Sequence, residues 1–385
     1  MPALQERRRL GRTGLHVPPV VFGTSCLGNL YEALPWATKR GIVQEWFRHM
    51  DAPVALDSAG KYGAGLALES IGRALRELGL RPQDVTICNK LCWRRAPLRG
   101  TEPTFEPGVW KGLEHDAVQD VGYEGLLRCW EEGCELLGDY RPRIASLHDP
   151  DEYLAQARTK AERADRWSRI LDAYRALGEL KRRGAVEAVG VGAKDWTVIR
   201  ELAEAVELDW AMLACSFTIY RHPREVVDFI AALDARGIGI VNSAVFHAGF
   251  LVGGRHFDYR VASRENPQDA GLFAWRDRFL ALCRSFEVVP AAACVQFATS
   301  APGIVSIALN TSRPERVREN VALVTRRVPE AFWSAMKERG LIAADYPYVG
   351  SSVQADTVGA PSAAVGRPVR AGPLDFAASR SPDDR

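Results

Sequence analysis

The sequence lacks the features that mark membrane, secreted and nucleic-acid-binding proteins. No apolar run reaches the roughly 18 residues that a membrane-spanning helix needs, and the first residues carry no apolar stretch of a secretion signal. The 50 basic and 48 acidic residues leave a formal net charge of +2, so no strongly basic surface is indicated. We therefore predict a cytoplasmic monomer or homo-oligomer that has neither a nucleic-acid nor a membrane partner.

Cysteine and histidine occur without the spacings of a disulfide framework or a metal site. The eight cysteines include no C-x-x-C pair, and a chain of 385 residues needs no disulfides to hold its core, so we predict reduced thiols. The seven histidines never recur at i, i+4, and no His/Cys cluster has zinc spacing. We expect no metal ion.

What the sequence contains instead is an alternation of short apolar runs with amphipathic stretches. The apolar runs show no polar alternation, as expected for strands covered on both faces. Strands are predicted near 20–24, 53–58, 85–90, 144–148, 186–192, 210–216, 238–243 and 304–309. Helices are predicted near 37–50, 66–79, 122–137, 166–183, 195–206, 222–236, 272–286, 290–300, 313–324 and 329–342.

Strands that alternate with helices in this way predict a closed (β/α)8 TIM barrel over residues 1–345. Two extended pieces within residues 8–20 predict a β-hairpin before the first strand. An open dinucleotide-binding sheet is not favoured, because residues 23–28 (Gly-Thr-Ser-Cys-Leu-Gly) do not match G-x-G-x-x-G. Extra helices follow the last strand, and residues 346–385 are predicted to form a polar, mobile tail.

Polar residues stand at the ends of three successive predicted strands. Asp57 ends the second strand and Tyr62 follows five positions later, while Lys90 and His148 end the next two. A parallel barrel keeps its reactive groups at these strand ends. The Lys90 ammonium would lower the pKa of Tyr62, with Asp57 as its counter-ion, and His148 would hydrogen-bond a substrate oxygen. This set can move a proton on or off a carbinol or carbonyl oxygen during hydride transfer with a nicotinamide.

Each of these residues alone also has an ordinary structural interpretation. Tyr62 fits a rim position, Lys90 a solvated strand end, Asp57 a helix N-cap, and His148 a buried core side chain. Their joint occurrence in successive βα units favours the catalytic interpretation.

These residues and their surroundings resemble the aldo-keto reductases over nearly all of residues 8–342. The matching segments are Leu-Gly-Arg-Thr-Gly-Leu in the hairpin, Gly23-Thr24, Asp57-Ser-Ala-Gly-Lys-Tyr62-Gly, Lys90, His148-Asp-Pro-Asp and Arg313-Pro-Glu-Arg316-Val-Arg-Glu319-Asn320. The resemblance implies that Asp57, Tyr62, Lys90 and His148 are the catalytic tetrad. Residues 147–151, 189–196 and 242–251 are most similar to bacterial aldose 1-dehydrogenases acting on L-fucose and other threo-aldoses. Pyridoxal dehydrogenases and plant-type L-galactose dehydrogenases look similar there.

The resemblance further implies an NAD or NADP molecule extended across the mouth of the barrel. Arg316 would contact the adenosine part, and Ser243 the diphosphate. The residues assigned to the cofactor are Gly23, Thr24, Asp57, Lys194, Ser216, Ser243, Ala244, Val245, Asn310, Arg316, Glu319 and Asn320.

The sequence departs from the family pattern at three places. Asn310 stands where NADP-using members usually carry a lysine for the 2′-phosphate, which favours NAD slightly. Residues 192–194 (Gly-Ala-Lys) replace the usual Ser-Asn that orients the nicotinamide amide, so Ser216 or Lys194 would substitute. Asn242 replaces a tyrosine that often stacks on the nicotinamide. Three aromatic residues are candidates for that stacking role: Phe246, Phe217 and Tyr220.

Two long loops, residues 91–120 and 244–271, follow strands and are predicted to lie at the catalytic mouth. Aromatic side chains there can offer a flat apolar wall to a sugar ring, and polar groups can fix its hydroxyls. The candidate substrate-binding residues are Trp93, Trp110, His148 and His247, with Phe250 and Arg255 as further candidates.

The predicted function is oxidation of an aldose, such as an L-fucose-like sugar, at carbon 1 to the lactone with NAD or NADP. Two alternatives stay open at this stage. One is NADPH-dependent reduction of a small-molecule aldehyde or ketone, such as pyridoxal, a quinone or a natural-product carbonyl. The other is a catalytically weak regulatory subunit that binds the cofactor.

Overall fold

The chain forms a closed barrel of eight parallel strands in a computed structural model that describes residues 4–258 and 260–350. Each strand pairs with the next along the chain, and the last pairs with the first at Ile307 and Val20, which closes the barrel. The strands are β1 (Val20–Gly23), β2 (Val54–Ala59), β3 (Val85–Leu91), β4 (Ile144–His148), β5 (Ala188–Ala193), β6 (Trp210–Ala214), β7 (Gly239–Ser243) and β8 (Ile304–Leu309). The predicted (β/α)8 barrel is therefore confirmed, with each strand within two residues of its predicted ends.

Helices surround the barrel and cover its outer face. They are α1 (Trp36–His49), α2 (Leu66–Glu77), α3 (Tyr123–Leu137), α4 (Pro150–Ala155), α5 (Lys160–Arg182), α6 (Trp196–Ala205), α7 (Arg224–Ala235), α8 (Ala270–Ser285), α9 (Pro290–Ala298), α10 (Val317–Ala322) and α11 (Glu330–Glu338). The packing follows the apolar spacing: on α2, Leu68, Ile71 and Leu75 are all fully buried. Gly79, just past α2, has φ +67°, the left-handed conformation in which glycine is favoured.

The N-terminal hairpin closes the end of the barrel opposite the catalytic mouth. Its strands, Arg8–Arg9 and His16–Val17, pair in antiparallel register. Leu10 and Leu15 pack into one buried cluster with Trp210 from the start of β6. The predicted hairpin is present, and its apolar side chains fill the barrel floor.

The two long loops contain regular structure that the sequence analysis did not predict. Residues 93–97 and 115–119 form a two-stranded antiparallel ribbon, and residues 256–257 pair with 260–261. The short helix α4 was missed as well, and α5 begins six residues before its predicted start, where Thr159 caps it by accepting from Glu162 N at 3.1 Å. These segments are short or strongly polar, so hydrophobic period carries little information about them.

The C-terminal part of the described chain packs on the barrel. Tyr346 is 3% exposed and stacks on Phe297 with a centroid distance of 4.5 Å, and Val349 is buried too. The rest of the segment predicted as a mobile tail, residues 351–385, lies outside the described residues.

No single helix among residues 4–258 and 260–350 is both long and apolar enough to cross a membrane. One pair of helical segments, Pro267–Ser285 and Pro290–Ala298, passes that test jointly, with a bend of 106° between them.

Candidate active site

The ends of β2, β3 and β4 bring the predicted catalytic side chains into one place. These strands are neighbours in the barrel, so their carboxyl ends meet at the same rim. Tyr62 reaches this rim on the turn that follows β2. That turn needs a glycine at position 60, because a Cβ there would lie 2.2 Å from the carbonyl oxygen of Trp93.

Lys90 and Asp57 form a buried ion pair at the base of this site. Lys90 Nζ donates to Asp57 Oδ2 at 2.5 Å, and the two residues are 1% and 3% exposed. Burial opposes the charge on Lys90, but Asp57, with smaller contributions from Tyr62 and Cys88, raises the pKa of Lys90 above its usual range. The lysine is therefore a permanent cation, held in a fixed position by its counter-ion.

Tyr62 lies against this cation, as predicted, but its pKa shifts in the opposite direction from the prediction. Lys90 Nζ is 4.7 Å from the centroid of the phenol ring. Burial raises the pKa of Tyr62 to about 12, although Lys90 lowers it, and Asp57 adds to the rise. The predicted lowering of this pKa is wrong, because the sequence did not show that burial of the half-buried Tyr62 would outweigh the effect of Lys90.

His148 faces the tyrosine from β4. The two rings meet edge to face, with centroids 5.5 Å apart and planes at 86°. Burial lowers the pKa of His148 well below its usual value, so the imidazole is neutral at physiological pH. Its Nδ1 is buried without a hydrogen-bond partner among the described residues. A neutral ring with an unpaired nitrogen beside a phenol can hydrogen-bond a bound oxygen atom.

A second charged cluster lies next to these residues, and the sequence analysis missed it. Lys61 Nζ contacts Asp149 at 2.8 Å, Glu106 at 2.9 Å and Glu152 at 2.7 Å, and Glu152 also pairs with Lys194. Lys61 precedes Tyr62 and Asp149 follows His148, so both belong to segments that carried the family resemblance. That adjacency was the available clue.

The residues assigned to the diphosphate have the features of an anion site at the end of β7. Ala244 is exposed with φ +55°, and neither its N–H nor that of Val245 has an acceptor among the described residues. Unpaired N–H groups on such a turn fit a phosphate. The Ser243 hydroxyl donates to the carbonyl oxygen of Leu213 at 3.2 Å. In this arrangement the hydroxyl can still accept a hydrogen bond from a ligand, but it cannot donate one.

The residues assigned to the adenosine end lie on the turn and helix that follow β8. Arg316 is exposed and makes no ion pair within the part of the chain that the structure describes, and Glu319 is exposed beside it. Asn320, half-buried, completes the set. Unpaired polar groups arranged in this way fit a nucleotide, so the residues present are compatible with the cofactor that the sequence predicts.

Between these groups, the ends of β1 and β8 adjoin each other. The Thr24 side chain is fully buried, and its hydroxyl donates to the carbonyl oxygen of Asp57 at 2.9 Å. This hydrogen bond links the end of β1 to β2. Asn310 Nδ2 donates to Ser25 Oγ at 2.8 Å, and a Cβ on Gly23 would lie 3.4 Å from Asn310 Cβ. Gly23 and Asn310 therefore border the same part of the mouth.

The residues proposed to contact the nicotinamide mostly form hydrogen bonds or ion pairs with other residues of the protein. Ser216 Oγ donates to the carbonyl oxygen of Lys194 at 2.7 Å, and the Lys194 ammonium pairs with Glu152. Asn242 is fully buried, and its Nδ2 donates to the carbonyl oxygens of Phe217 and Ala298, both at 2.9 Å. These contacts argue for structural roles.

Of the three aromatic candidates for nicotinamide stacking, Phe246 is the one whose surroundings leave it available. Phe217 is fully buried against Phe297. Tyr220 packs edge-on against Phe257 of the 244–271 loop and Trp275 of α8. Phe246 is half-buried beside the Ala244 turn.

The candidate substrate residues divide into two groups. Trp110 lies 6.0 Å from the Tyr62 ring and donates to Glu106 at 2.8 Å, and Trp93 packs over the Lys61 ammonium at 5.0 Å. Both therefore border the catalytic residues. His247 and Phe250 are fully buried away from these residues, with both His247 ring nitrogens hydrogen-bonded and Phe250 packed on Phe257 and Phe273, which argues against the predicted contact of either with substrate. Arg255 is exposed in the same loop.

His247 belongs instead to a hydrogen-bonded cluster with Cys215 and Asp258. Asp258 Oδ1 accepts from His247 Nδ1 at 2.8 Å and from Cys215 Sγ at 3.2 Å, and His247 Nε2 lies 3.0 Å from Thr218 Oγ1. Burial raises the pKa of the Cys215 thiol, so it donates as a neutral group. The three potential ligand atoms lie within 4.8 Å of one another, but hydrogen bonds already account for their contacts. The absence of a metal stays a prediction.

Comparisons with known proteins agree with this arrangement. The Aldo/keto reductase family pattern matches residues 19–339. Pyridoxal 4-dehydrogenase of Microbacterium luteolum is 29% identical over 353 residues, covering 88% of this chain and 98% of that protein. D-threo-aldose 1-dehydrogenase of a Pseudomonas species is 26% identical over 344 residues, covering 86% and 96%.

Solved structures show the same fold at low identity. An aldo-keto reductase from Bacillus halodurans in its holo form superposes with a TM-score of 0.63 at 18% identity, covering 88% of this chain and 97% of that one. A glycerol dehydrogenase from Gluconobacter oxydans gives 0.64 at 14%, covering 93% and 100%. Since the family pattern spans most of the chain and the barrel matches as well, the protein belongs to the aldo/keto reductase family and is an NAD(P)-dependent oxidoreductase.

Proposed function

We propose that the protein oxidises a cyclic aldose at its anomeric carbon to the lactone, with NAD as the hydride acceptor. The observation that carries the proposal is the convergence of the Tyr62 phenol, the Lys90 cation and the neutral His148 ring at one rim. A phenol beside a fixed cation and a neutral imidazole can exchange a proton with a carbinol oxygen.

In this reaction Tyr62 takes the proton of the anomeric hydroxyl, while the hydrogen on carbon 1 leaves as hydride. The oxidised nicotinamide supplies the acceptor for that hydride when the cofactor is bound. Lys90 stabilises the phenolate that must exist before the proton moves, and Asp57 holds Lys90 in place. His148 orients the sugar through a hydrogen bond to the same oxygen. The products are the lactone, the reduced cofactor and a proton.

The names of the two relatives support a shared substrate group. One acts on D-threo-aldoses at carbon 1, and the other on pyridoxal at carbon 4. Both molecules form cyclic hemiacetals, so each presents a ring carbon that carries a hydroxyl, a hydrogen and an ether oxygen. Pyridoxal is therefore a second candidate substrate, favoured by the higher identity of that relative.

NAD is proposed over NADP because Asn310 offers no positive charge at the position where a 2′-phosphate would need one. A charge-assisted bond to phosphate contributes roughly 1–3 kcal/mol. Arg316 is exposed nearby but lies on the turn after β8, where it also fits the adenosine itself.

The test is a substrate panel with the full-length protein. L-fucose, other threo-aldoses and pyridoxal are supplied with NAD or NADP, and reduced cofactor is measured by absorbance. Turnover of an aldose with NAD is expected, and Tyr62→Phe should lower kcat by about 100- to 10,000-fold while the cofactor Kd stays close to wild type. Wild-type kcat in that variant, or turnover confined to NADPH-dependent carbonyl reduction, would disprove the proposal. Cofactor binding without any turnover would favour a regulatory subunit.

A further inference from the structure

Lys61 is a buried lysine that directly precedes the catalytic tyrosine, and its contacts lead to the catalytic histidine. Its ammonium donates to Asp149 Oδ2 at 2.8 Å, and that same oxygen lies 3.6 Å from His148 Nε2. Lys61 is 2% exposed, Asp149 5% and His148 6%. Charges enclosed this far from water interact strongly, so the state of one affects the others.

We propose that Lys61 is a positioning residue that neutralises Asp149 and thereby keeps His148 uncharged for its hydrogen bond to the substrate oxygen. The proposal rests on the role given to His148 in the proposed function. It assigns to Lys61 a task separate from that of Lys90, which acts on Tyr62.

The charges around His148 decide its protonation state. The Asp149 carboxylate favours the imidazolium form of His148, while the ammonium groups of Lys90, Lys61 and Lys194 oppose it. The Tyr62 ring edge packs on the remaining side. With Lys61 present, the Asp149 charge is matched by an ammonium at contact distance, and burial keeps the imidazole neutral. Without the Lys61 ammonium, the Asp149 carboxylate would lie 3.6 Å from His148 Nε2 and would have lost this counter-ion.

The rest of the cluster fixes Lys61 in this position. Glu106 from the loop over the site and Glu152 from α4 hold the ammonium at 2.9 and 2.7 Å, and the Trp93 ring covers it at 5.0 Å. Burial opposes the charge on Lys61, but the three carboxylates raise its pKa above the usual range. The lysine therefore stays charged throughout the physiological pH range and can hold Asp149 constantly.

The experiment follows the His148 ring by NMR in the full-length, cofactor-free protein labelled at histidine, with the signal assigned through its loss in His148→Asn. In wild type, His148 should remain neutral wherever the protein is folded. In Lys61→Met it should titrate within the range of about pH 5 to 8. Lys61→Arg should behave as wild type, and adding Asp149→Asn to Lys61→Met should abolish the new titration. Lys181→Met, which removes the exposed partner of Asp209, is the matched control.

A purely structural role for Lys61 would not produce this pattern, since the double variant removes even more native contacts yet should restore neutral His148. If Lys61→Met does not fold, Lys61→Gln keeps an N–H donor for Asp149 and carries the same expectation. A folded Lys61→Met or Lys61→Gln protein whose His148 stays neutral would overturn the proposal. The readout needs no substrate, so it is independent of whether the proposed aldose is turned over. Where turnover exists, the acid limb of kcat/KM should move to higher pH in Lys61→Met.

Discussion

Replacing Lys90 by methionine tests the central contact of the site. Methionine preserves most of the side-chain length but removes the ammonium that lies 4.7 Å from the centre of the Tyr62 ring. The change also leaves the Asp57 carboxylate buried without its partner. Two effects are therefore expected, one on the reactivity of Tyr62 and one on stability.

The catalytic effect can be worked from the distance. We take the distance of 4.7 Å from Lys90 Nζ to the ring centre as the separation of the ammonium from the phenolate charge. At an effective dielectric constant of about 20, two unit charges at that distance attract by roughly 3.5 kcal/mol. At about 1.4 kcal/mol per tenfold change, losing that attraction lowers the phenolate population, and with it kcat, by a few hundred-fold. Burial already raises the pKa of Tyr62 to about 12, so the enzyme has little phenolate to spare at neutral pH. Below the pKa of Tyr62 the phenolate populations of wild type and variant both rise tenfold per pH unit, so the fold loss in kcat should stay constant across the usable pH range.

The stability effect is separable by a second substitution. A buried carboxylate without a partner costs about 3–5 kcal/mol. Lys90→Met alone should therefore lower the free energy of unfolding by that amount, measured by chemical denaturation. Lys90→Met combined with Asp57→Asn removes both charges, so most of the stability should return while kcat stays low.

Comparing Lys90→Met with the Lys90→Met, Asp57→Asn double variant separates the effect on kcat from the effect on stability. Steady-state kinetics on the best substrate of the panel give kcat across pH, with the cofactor Kd as a check that the site is intact. If folded Lys90→Met keeps more than about a tenth of wild-type kcat, the cation is not what makes Tyr62 reactive, because the estimated loss is well over tenfold. The double variant should lose less activity than Lys90→Met, because the Asp57 charge itself raises the pKa of Tyr62.

Three further outcomes are expected. Asn310→Lys should tighten NADP binding by about 5- to 150-fold, equivalent to 1–3 kcal/mol, with little effect on NAD, as measured by calorimetric titration. Gly28→Ala should lower both stability and kcat, because the new Cβ would lie 2.6 Å from the backbone carbonyl of Tyr62; unfolding should become about 1–3 kcal/mol easier in denaturant. Gly178→Ala, inside α5 with no atom within 4 Å of the added Cβ, should instead raise the unfolding free energy by about 0.5–1 kcal/mol and leave kcat unchanged.

The barrel could be predicted because its information is local and repeated. Each strand is a short apolar run and each long helix has an apolar face, so the apolar runs alone located β4 and β8 at their observed bounds. The ribbon at residues 93–97 and 115–119 could not be found this way, since its pairing joins segments far apart in the chain and its side chains are mixed. Strand pairing between distant polar segments produces no periodic pattern of apolar residues in the sequence.

The candidate site was predictable to the extent that strand order fixes it. Once β2, β3 and β4 are neighbours, Asp57, Lys90 and His148 must share a rim. Residues on loops carry no such constraint, and His247 shows the consequence. Asp258 of its own loop and Thr218 of the segment after β6 are hydrogen-bond partners for the two ring nitrogens, so the contacts of a histidine expected at the substrate favour a structural role.

The direction of the Tyr62 pKa shift shows why residue identities alone do not determine electrostatics. The sequence identifies a lysine and predicts the sign of its contribution, which the structure reproduces: Lys90 does lower the pKa. The same strands that deliver Lys90 also enclose the phenol, and burial disfavours the phenolate by more than the cation favours it. The net shift is upward because burial is the largest contribution, and Trp110 of the loop at residues 91–120 lies 6.0 Å from the Tyr62 ring. It follows that truncation of Trp110 beside Tyr62 should alter the reactivity of the phenol, although the tryptophan side chain itself carries no charge.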